Sequence, residues 1–153
     1  MDVLYHNRTS NKRAETELGA KYVSLSTLLE ESDFVVSLLP LSKETKKFFN
    51  KEAFSQMKRD GIFINVSRGG VVDEVALYEA LRNGTIRAAG LDVFEKEPID
   101  STHPLTALPN VVLTPHIGSA TRETREKMLT LCLDNLKAYF YGEGPLTPVT
   151  KKE

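Results

Sequence analysis

The stretch FINVSRGGVVDE, residues 63–74, decides the reading of the fold. Its apolar start reads as a buried strand over residues 62–66, entered through the turn at Asp60-Gly61. The run stops at Ser67-Arg68-Gly69-Gly70, which puts a cation at the mouth of a buried strand. The glycines are expected to let the chain turn sharply with no side chain in the way. Asp73 then caps a helix that runs to Asn83 and stops at Gly84. The Asp73-Glu74 pair reads most simply as a helix N-terminus interacting with the dipole.

Outward from this stretch, strands and helices alternate. Strands are predicted over residues 3–5, 21–23, 34–38, 62–66, 86–93 and 111–114. Helices are predicted over residues 10–19, from a Ser26 cap to Glu31, and over 51–57 behind Asn50. The last is a long helix from Thr121 to about Tyr141, closed by Gly142, with a loose tail beyond. Near-continuous apolar strands between helices imply a parallel sheet covered on both faces. Right-handed crossovers make it an α/β, doubly wound, Rossmann-like sheet.

Composition bounds the function. The chain has 153 residues, 41% hydrophobic and 27% charged, with a net charge of −1. Interspersed charge argues against a nucleic-acid partner. No apolar run approaches the roughly 20 residues that span a bilayer, and Met1-Asp2 leads into a strand without a signal pattern. The single cysteine, Cys132, excludes an internal disulfide and suits a reducing cytoplasm; it reads as a buried small hydrophobe. No Cys/His pair has zinc-ligand spacing, so no metal is expected.

Ligands of open α/β sheets bind outside the carboxyl ends of the strands. That edge should carry His6-Asn7-Arg8-Thr9, Leu39-Pro40, the Arg68 loop, the segment from Asp92 to Glu97-Pro98, and Pro115-His116-Ile117-Gly118. Arg68 offers a planar donor fork suited to a carboxylate. His116 suits general acid or base work near neutrality. Glu97, stiffened by Pro98, is the carboxylate best placed to hold the ring. Together the three could bind a 2-oxo acid and protonate its carbonyl oxygen as a hydride arrives. Plainer readings stand beside these: a strand-end surface arginine, a turn histidine between Pro115 and Ile117-Gly118, and a solvated loop glutamate. His6 and His103 read as structural or surface residues.

Three segments, INVSRGGVVDE (64–74), AAGLDVFEKEP (88–98) and LTPHIGSAT (113–121), in this order and spacing, resemble the D-isomer-specific 2-hydroxyacid dehydrogenases. The resemblance covers essentially the whole chain. It implies that Arg68 holds the substrate carboxylate and carbonyl, that His116 is the proton donor, and that Glu97 is its partner. Asp92 would sit near the nicotinamide carboxamide, and Leu39, Pro40, Val66 and Gly118 along the cofactor. It implies a small 2-oxo or 2-hydroxy acid substrate, leaving glyoxylate, hydroxypyruvate and related acids undistinguished, and a homodimer when full length. The ribose-binding position falls on Asn7, Arg8 and Thr9, with Lys12 and Arg13 close by. NAD-specific relatives place a carboxylate there. None is present here and Arg8 can pair with a 2′-phosphate, so NADPH is expected in preference to NADH.

The family's glycine fingerprint would fall before Met1. The expectation is therefore a Rossmann-like domain incomplete at its N-terminus, lacking the first strand and the glycine-rich loop. Residues 1–118 would form the partial dinucleotide-binding domain. Residues 119–153 would form a long helix and tail returning toward a substrate domain absent from the chain. Such a chain alone should bind dinucleotide weakly and reduce no substrate. A non-catalytic dinucleotide-sensing or partner-binding protein on the same scaffold is the competing function.

Overall fold

The structure, a computed structural model, describes residues 1–149; residues 150–153, the end of the expected C-terminal segment, lie outside the described residues. The chain divides into two compact units, Met1–Pro115 and His116–Glu153.

The first unit runs β1 (Leu4–Tyr5), α1 (Lys12–Leu18), β2 (Lys21–Tyr22), α2 (Leu25–Glu31), β3 (Phe34–Ser37), α3 (Lys51–Gln56), β4 (Ile62–Asn65), α4 (Glu74–Arg82), β5 (Ala88–Leu91) and β6 (Val111–Leu113). Short 3-10 turns occur at Gly69–Val71 and Pro104–Ala107. Local chemistry sets the helix starts. The side chains of Asn11, Asn50 and Asp73 each accept a free N–H in the first turn that follows. The cap of α2 is Ser24, not Ser26. Ser24 has extended backbone and its side chain accepts from Thr27 N, whereas Ser26 already lies inside the helix. Gly19 ends α1 at φ 65, a left-handed conformation that a side chain would resist.

All strand pairs are parallel. They form one sheet of β1 and β2, and a second in the order β3-β4-β5-β6. The two sheets match the 3-2 and 4-5-6 parts of a 3-2-1-4-5-6 order, with β6 added as a further strand at the edge of the larger sheet. Among the described residues no strand pairs with both β1 and β3.

Register sorts the larger sheet into two faces. Val35, Phe63, Ala89 and Val111 align on the inner face. With Leu29 of α2, Phe54 of α3 and Leu77 of α4 they join one core, in which the Phe54 and Phe63 rings meet edge-on at 5.2 Å. On the outer face, Val36, Ile64, Gly90 and Val112 form the matching row, and Val36 and Val112 are exposed. The expected cover on both faces is thus present on one. Phe34 and Val36 leave β3 with an apolar outer surface open to solvent.

In the second unit, Thr121 caps α5 (Arg122–Phe140) through Thr124 N. Only Ala138 of this helix is buried; Leu129, Leu136, Tyr139 and Phe140 are exposed. Cys132 is exposed as well, against the expectation of a buried hydrophobe. The cause is visible in the spacing. Apolar residues at 128, 129, 131, 132, 133, 136, 139 and 140 extend around more of the helix than one contact face can cover. The tail is less loose than expected: Thr147 N donates to Asn135 Oδ1 at 2.9 Å.

Candidate active site

The mouth of β4 is built by a buried asparagine. Asn65, 1% exposed, accepts from Ser67 N and Ser67 Oγ at Oδ1, at 3.1 and 2.9 Å. Its Nδ2 donates to Arg68 O at 3.0 Å. One amide side chain thus binds the backbone N–H of Ser67 and the carbonyl of Arg68 where the chain leaves the strand. Ser67 Oγ also lies 3.3 Å from Ser37 Oγ, tying the loop to the end of β3. Arg68 leaves this loop with extended backbone, φ −145 and ψ 139, and its side chain is exposed. Arg68 Nη1 donates to Ser67 O at 2.7 Å.

Gly69 explains the residue after the arginine. Neither it nor Gly70 has positive φ, so turn freedom is not the reason for glycine. A Cβ on Gly69 would lie 1.8 Å from Phe94 C, 2.0 Å from Phe94 O and 2.3 Å from Glu95 N. Two stretches of backbone meet there, and a side chain would force them apart. The loop after β5 is therefore packed against the Arg68 loop. Glu97 lies in that second loop, exposed, with Oε1 accepting from Phe94 N at 2.9 Å. Asp92 sits at the carboxyl end of β5, 8% exposed. Its backbone N donates to Asn65 O at 3.0 Å, and its Oδ1 accepts from Thr114 Oγ1 at 2.5 Å. Thr114 N in turn donates to Leu91 O, so the end of β6 is fastened beside Asp92.

Asn7, Arg8 and Thr9 follow β1 and are all exposed. Tyr22 OH donates to Asn7 O at 2.9 Å and Asn7 Oδ1 accepts from Arg8 N at 2.9 Å, which shapes the turn. The Glu44 carboxyl is held below its ordinary range, first by the Ser42 hydroxyl that donates to it at 2.7 Å and, to a smaller extent, by the charge of Arg8. In the loop after β3, Leu39 packs on the core, while Pro40 is exposed and its carbonyl accepts from Thr45 Oγ1 at 2.6 Å. Val66 is half exposed at the β4 mouth, as is Leu41. Arg8 thus offers an exposed cation, and Leu41 and Val66 offer exposed apolar surface.

His116 and Gly118 open the second unit, and both are exposed. His116 has φ 53, an uncommon conformation for a residue with a Cβ and one that clusters at functional sites. Ala120 N donates to Ile117 O at 2.9 Å, closing the turn before the Thr121 cap. The first unit thus holds Arg68, Glu97 and Asp92 on interlocked loops, and the second holds His116. Asn65 and Thr114 escaped the sequence reading as organisers of the site. The available signal was a lone asparagine ending an apolar strand. Among the described residues no cluster of three or more metal-ligating side chains occurs, and no helix is long and apolar enough to cross a membrane.

Residues 1–118 match the NAD binding domain of the D-isomer specific 2-hydroxyacid dehydrogenases. The chain belongs to this family. It is 53% identical over 142 residues to glyoxylate/hydroxypyruvate reductase B of Escherichia fergusonii, covering 93% of this chain and 44% of that protein. The crystal structure of the TT0316 protein of Thermus thermophilus superposes with a TM-score of 0.90 at 47% identity, covering 98% of this chain and 46% of that one. The NADPH-dependent glyoxylate/hydroxypyruvate reductase of Sinorhizobium meliloti, solved with NADP and malonate, gives a TM-score of 0.87 at 42% identity, covering 98% and 46%. The chain spans less than half the length of these relatives. Rossmann-like architecture and a nucleotide-binding domain follow for this chain from the match and the fold together.

Proposed function

We infer that this chain carries the nucleotide-binding and acid–base half of an enzyme that reduces a small 2-oxo acid, of the glyoxylate or hydroxypyruvate type, to a D-2-hydroxy acid. The observation that carries the reading is the junction at Gly69, which locks the loop of Arg68 against the loop of Glu97. A guanidinium and a carboxylate held on abutting loops are what binding and protonating an oxo acid requires.

The division of labour follows from residue chemistry. Arg68 donates two N–H groups to the substrate carboxylate and orients its carbonyl. In the full-length enzyme Glu97 would accept from the ring of His116 and fix its orientation. His116 then donates a proton to the carbonyl oxygen as it gains charge, and the product leaves as the alcohol. The nicotinamide cofactor supplies the hydride when bound. Asp92, buried and bonded by Thr114, would receive a carboxamide. Leu39, Pro40, Val66 and Gly118 would flank the cofactor, and Arg8 with Asn7 and Thr9 would hold its ribose 2′-phosphate. NADPH is accordingly preferred to NADH. We place the full-length protein in the cytoplasm as a homodimer, with residues 1–118 as the nucleotide-binding part and residues 119–153 as the connection toward a substrate domain.

The test exchanges this chain for the matching segment of the Escherichia fergusonii reductase and follows NADPH oxidation with glyoxylate and hydroxypyruvate. Turnover that is lost in Arg68→Ala supports the reading. A folded chimera that binds NADPH but turns over neither acid would favour a dinucleotide-sensing role instead.

A further inference from the structure

The Phe94–Glu95 peptide is held from a second side. Glu74, the first residue of α4, does not cap its own helix; Asp73 does that by accepting from Val75 N and Ala76 N. The Glu74 side chain turns away from the helix start, and is only 14% exposed. Its Oε1 accepts from Glu95 N at 2.7 Å. Its Oε2 lies 3.3 Å from His103 Nε2. His103 in turn caps the 3-10 turn Pro104–Ala107, its Nδ1 accepting from Leu105 N at 3.4 Å. The ring sits within ion-pair range of the Glu74 carboxylate. One carboxylate therefore links the start of α4, the loop after β5 and the 3-10 turn before β6.

The linkage bears on Glu97. Bare Gly69 presses on the Phe94–Glu95 peptide from one side, and Glu74 accepts the N–H of that same peptide, Glu95 N. Glu97, two residues on, folds back to accept from Phe94 N. The backbone that aims Glu97 is thus fixed by a carboxylate with no part in the acid–base chemistry above. Neither the helix dipole nor capping needs a largely buried glutamate bonded to a distant amide.

We propose that Glu74 is a positioning residue, holding the loop that presents Glu97 through Glu95 N–H and His103. The link to catalysis rests on the function inferred above; the positioning itself does not. Its test uses amide hydrogen exchange by NMR on the 15N-labelled chain, so an inactive enzyme and a wrong clamp give different results. In Glu74→Ala, exchange of the Glu95 and Phe94 amides should quicken roughly tenfold to a hundredfold, the range of a lost charged hydrogen bond. The amides of Phe63 and Leu91 in β4 and β5 should keep wild-type rates. Glu74→Gln retains an acceptor oxygen for Glu95 N–H and should bring both loop amides back to within about threefold of wild type. Wild-type exchange at Glu95 in Glu74→Ala would overturn the proposal. So would equal acceleration in Glu74→Gln, or loss of protection throughout β4 and β5 in both variants, which would make Glu74 a general stabiliser of the fold.

Discussion

Replacing Gly69 by alanine adds one methyl group where two backbones touch. The added carbon would sit 1.8–2.3 Å from three backbone atoms of Phe94 and Glu95. Ordinary carbon contacts lie near 3.5–4.0 Å, so one loop must retreat by well over an ångström. Neither can retreat by a rotamer change, because the obstructing atoms are main chain. Overpacking a fitted site costs about 1–3 kcal/mol; with backbone on both sides, about 3 kcal/mol is expected. At roughly 4 °C per kcal/mol, where the ranges for smaller and larger domains meet, the melting temperature should fall by about 12 °C. Two control substitutions separate this cause from others. Gly84→Ala meets nothing within 4 Å but has φ +67, so it should cost only about 1 kcal/mol of backbone strain. Gly70→Ala meets only Leu41 methyl groups at 3.1 and 3.2 Å, which can rotate, and should cost less than about 1 kcal/mol. Urea unfolding followed by circular dichroism gives all three values. Gly69→Ala within about 0.5 kcal/mol of wild type, or no worse than Gly84→Ala, would refute the packing argument.

Three further outcomes follow from named residues. Arg68→Lys keeps the charge but loses the planar fork; in the intact enzyme it should lower kcat/KM about a hundredfold while leaving the stability of this exposed position within about 0.5 kcal/mol, measured by steady-state kinetics and melting. Arg8→Asp puts a carboxylate where the 2′-phosphate is expected and should reverse the NADPH over NADH preference in kcat/KM; an unchanged ratio contradicts the assignment. Burial pushes the Asp73 carboxyl up, but hydrogen bonds from Ala76 N and Lys47 outweigh it and leave it below its ordinary value of 3.8. A lowered folded value means stability that is whole above pH 3.8 and lost as pH falls through the lower folded value. The stability gap between wild type and Asp73→Ala, about 1 kcal/mol at neutrality, should therefore shrink on acidification below pH 4, and a gap that widens there contradicts the cap.

Much of the fold was legible because its signals are local. Asn50, Asp73 and Thr121 cap helices as their neighbours suggested, since capping depends on a few residues in a row. Ser26 misled because two serines stand two residues apart and only backbone conformation tells which is extended. The alternation of strands and helices, and with it the parallel pairing, was legible, but the bare outer face of β3 was not. An apolar run such as Phe34-Val35-Val36 looks the same whether one face or two are covered. In the site, Arg68, Glu97 and His116 stood out by residue type at strand ends. The reason for Gly69 did not, because Phe94 is distant in sequence and a close approach leaves no local mark. The role of Glu74 was hidden the same way: beside Asp73 it reads as helix-start charge, and only the fold brings Glu95 and His103 to it.

The central claim is that Arg68, Glu97 and His116 serve one bound oxo acid. It is tested most directly by a crystal structure of the full-length protein with NADP and oxamate, an unreactive 2-oxo acid mimic. The account predicts the Arg68 guanidinium on the ligand carboxylate, the His116 ring within hydrogen-bond reach of its oxo oxygen, and Glu97 on the far nitrogen of that ring. Oxamate bound with His116 or Arg68 turned to another cleft would contradict it.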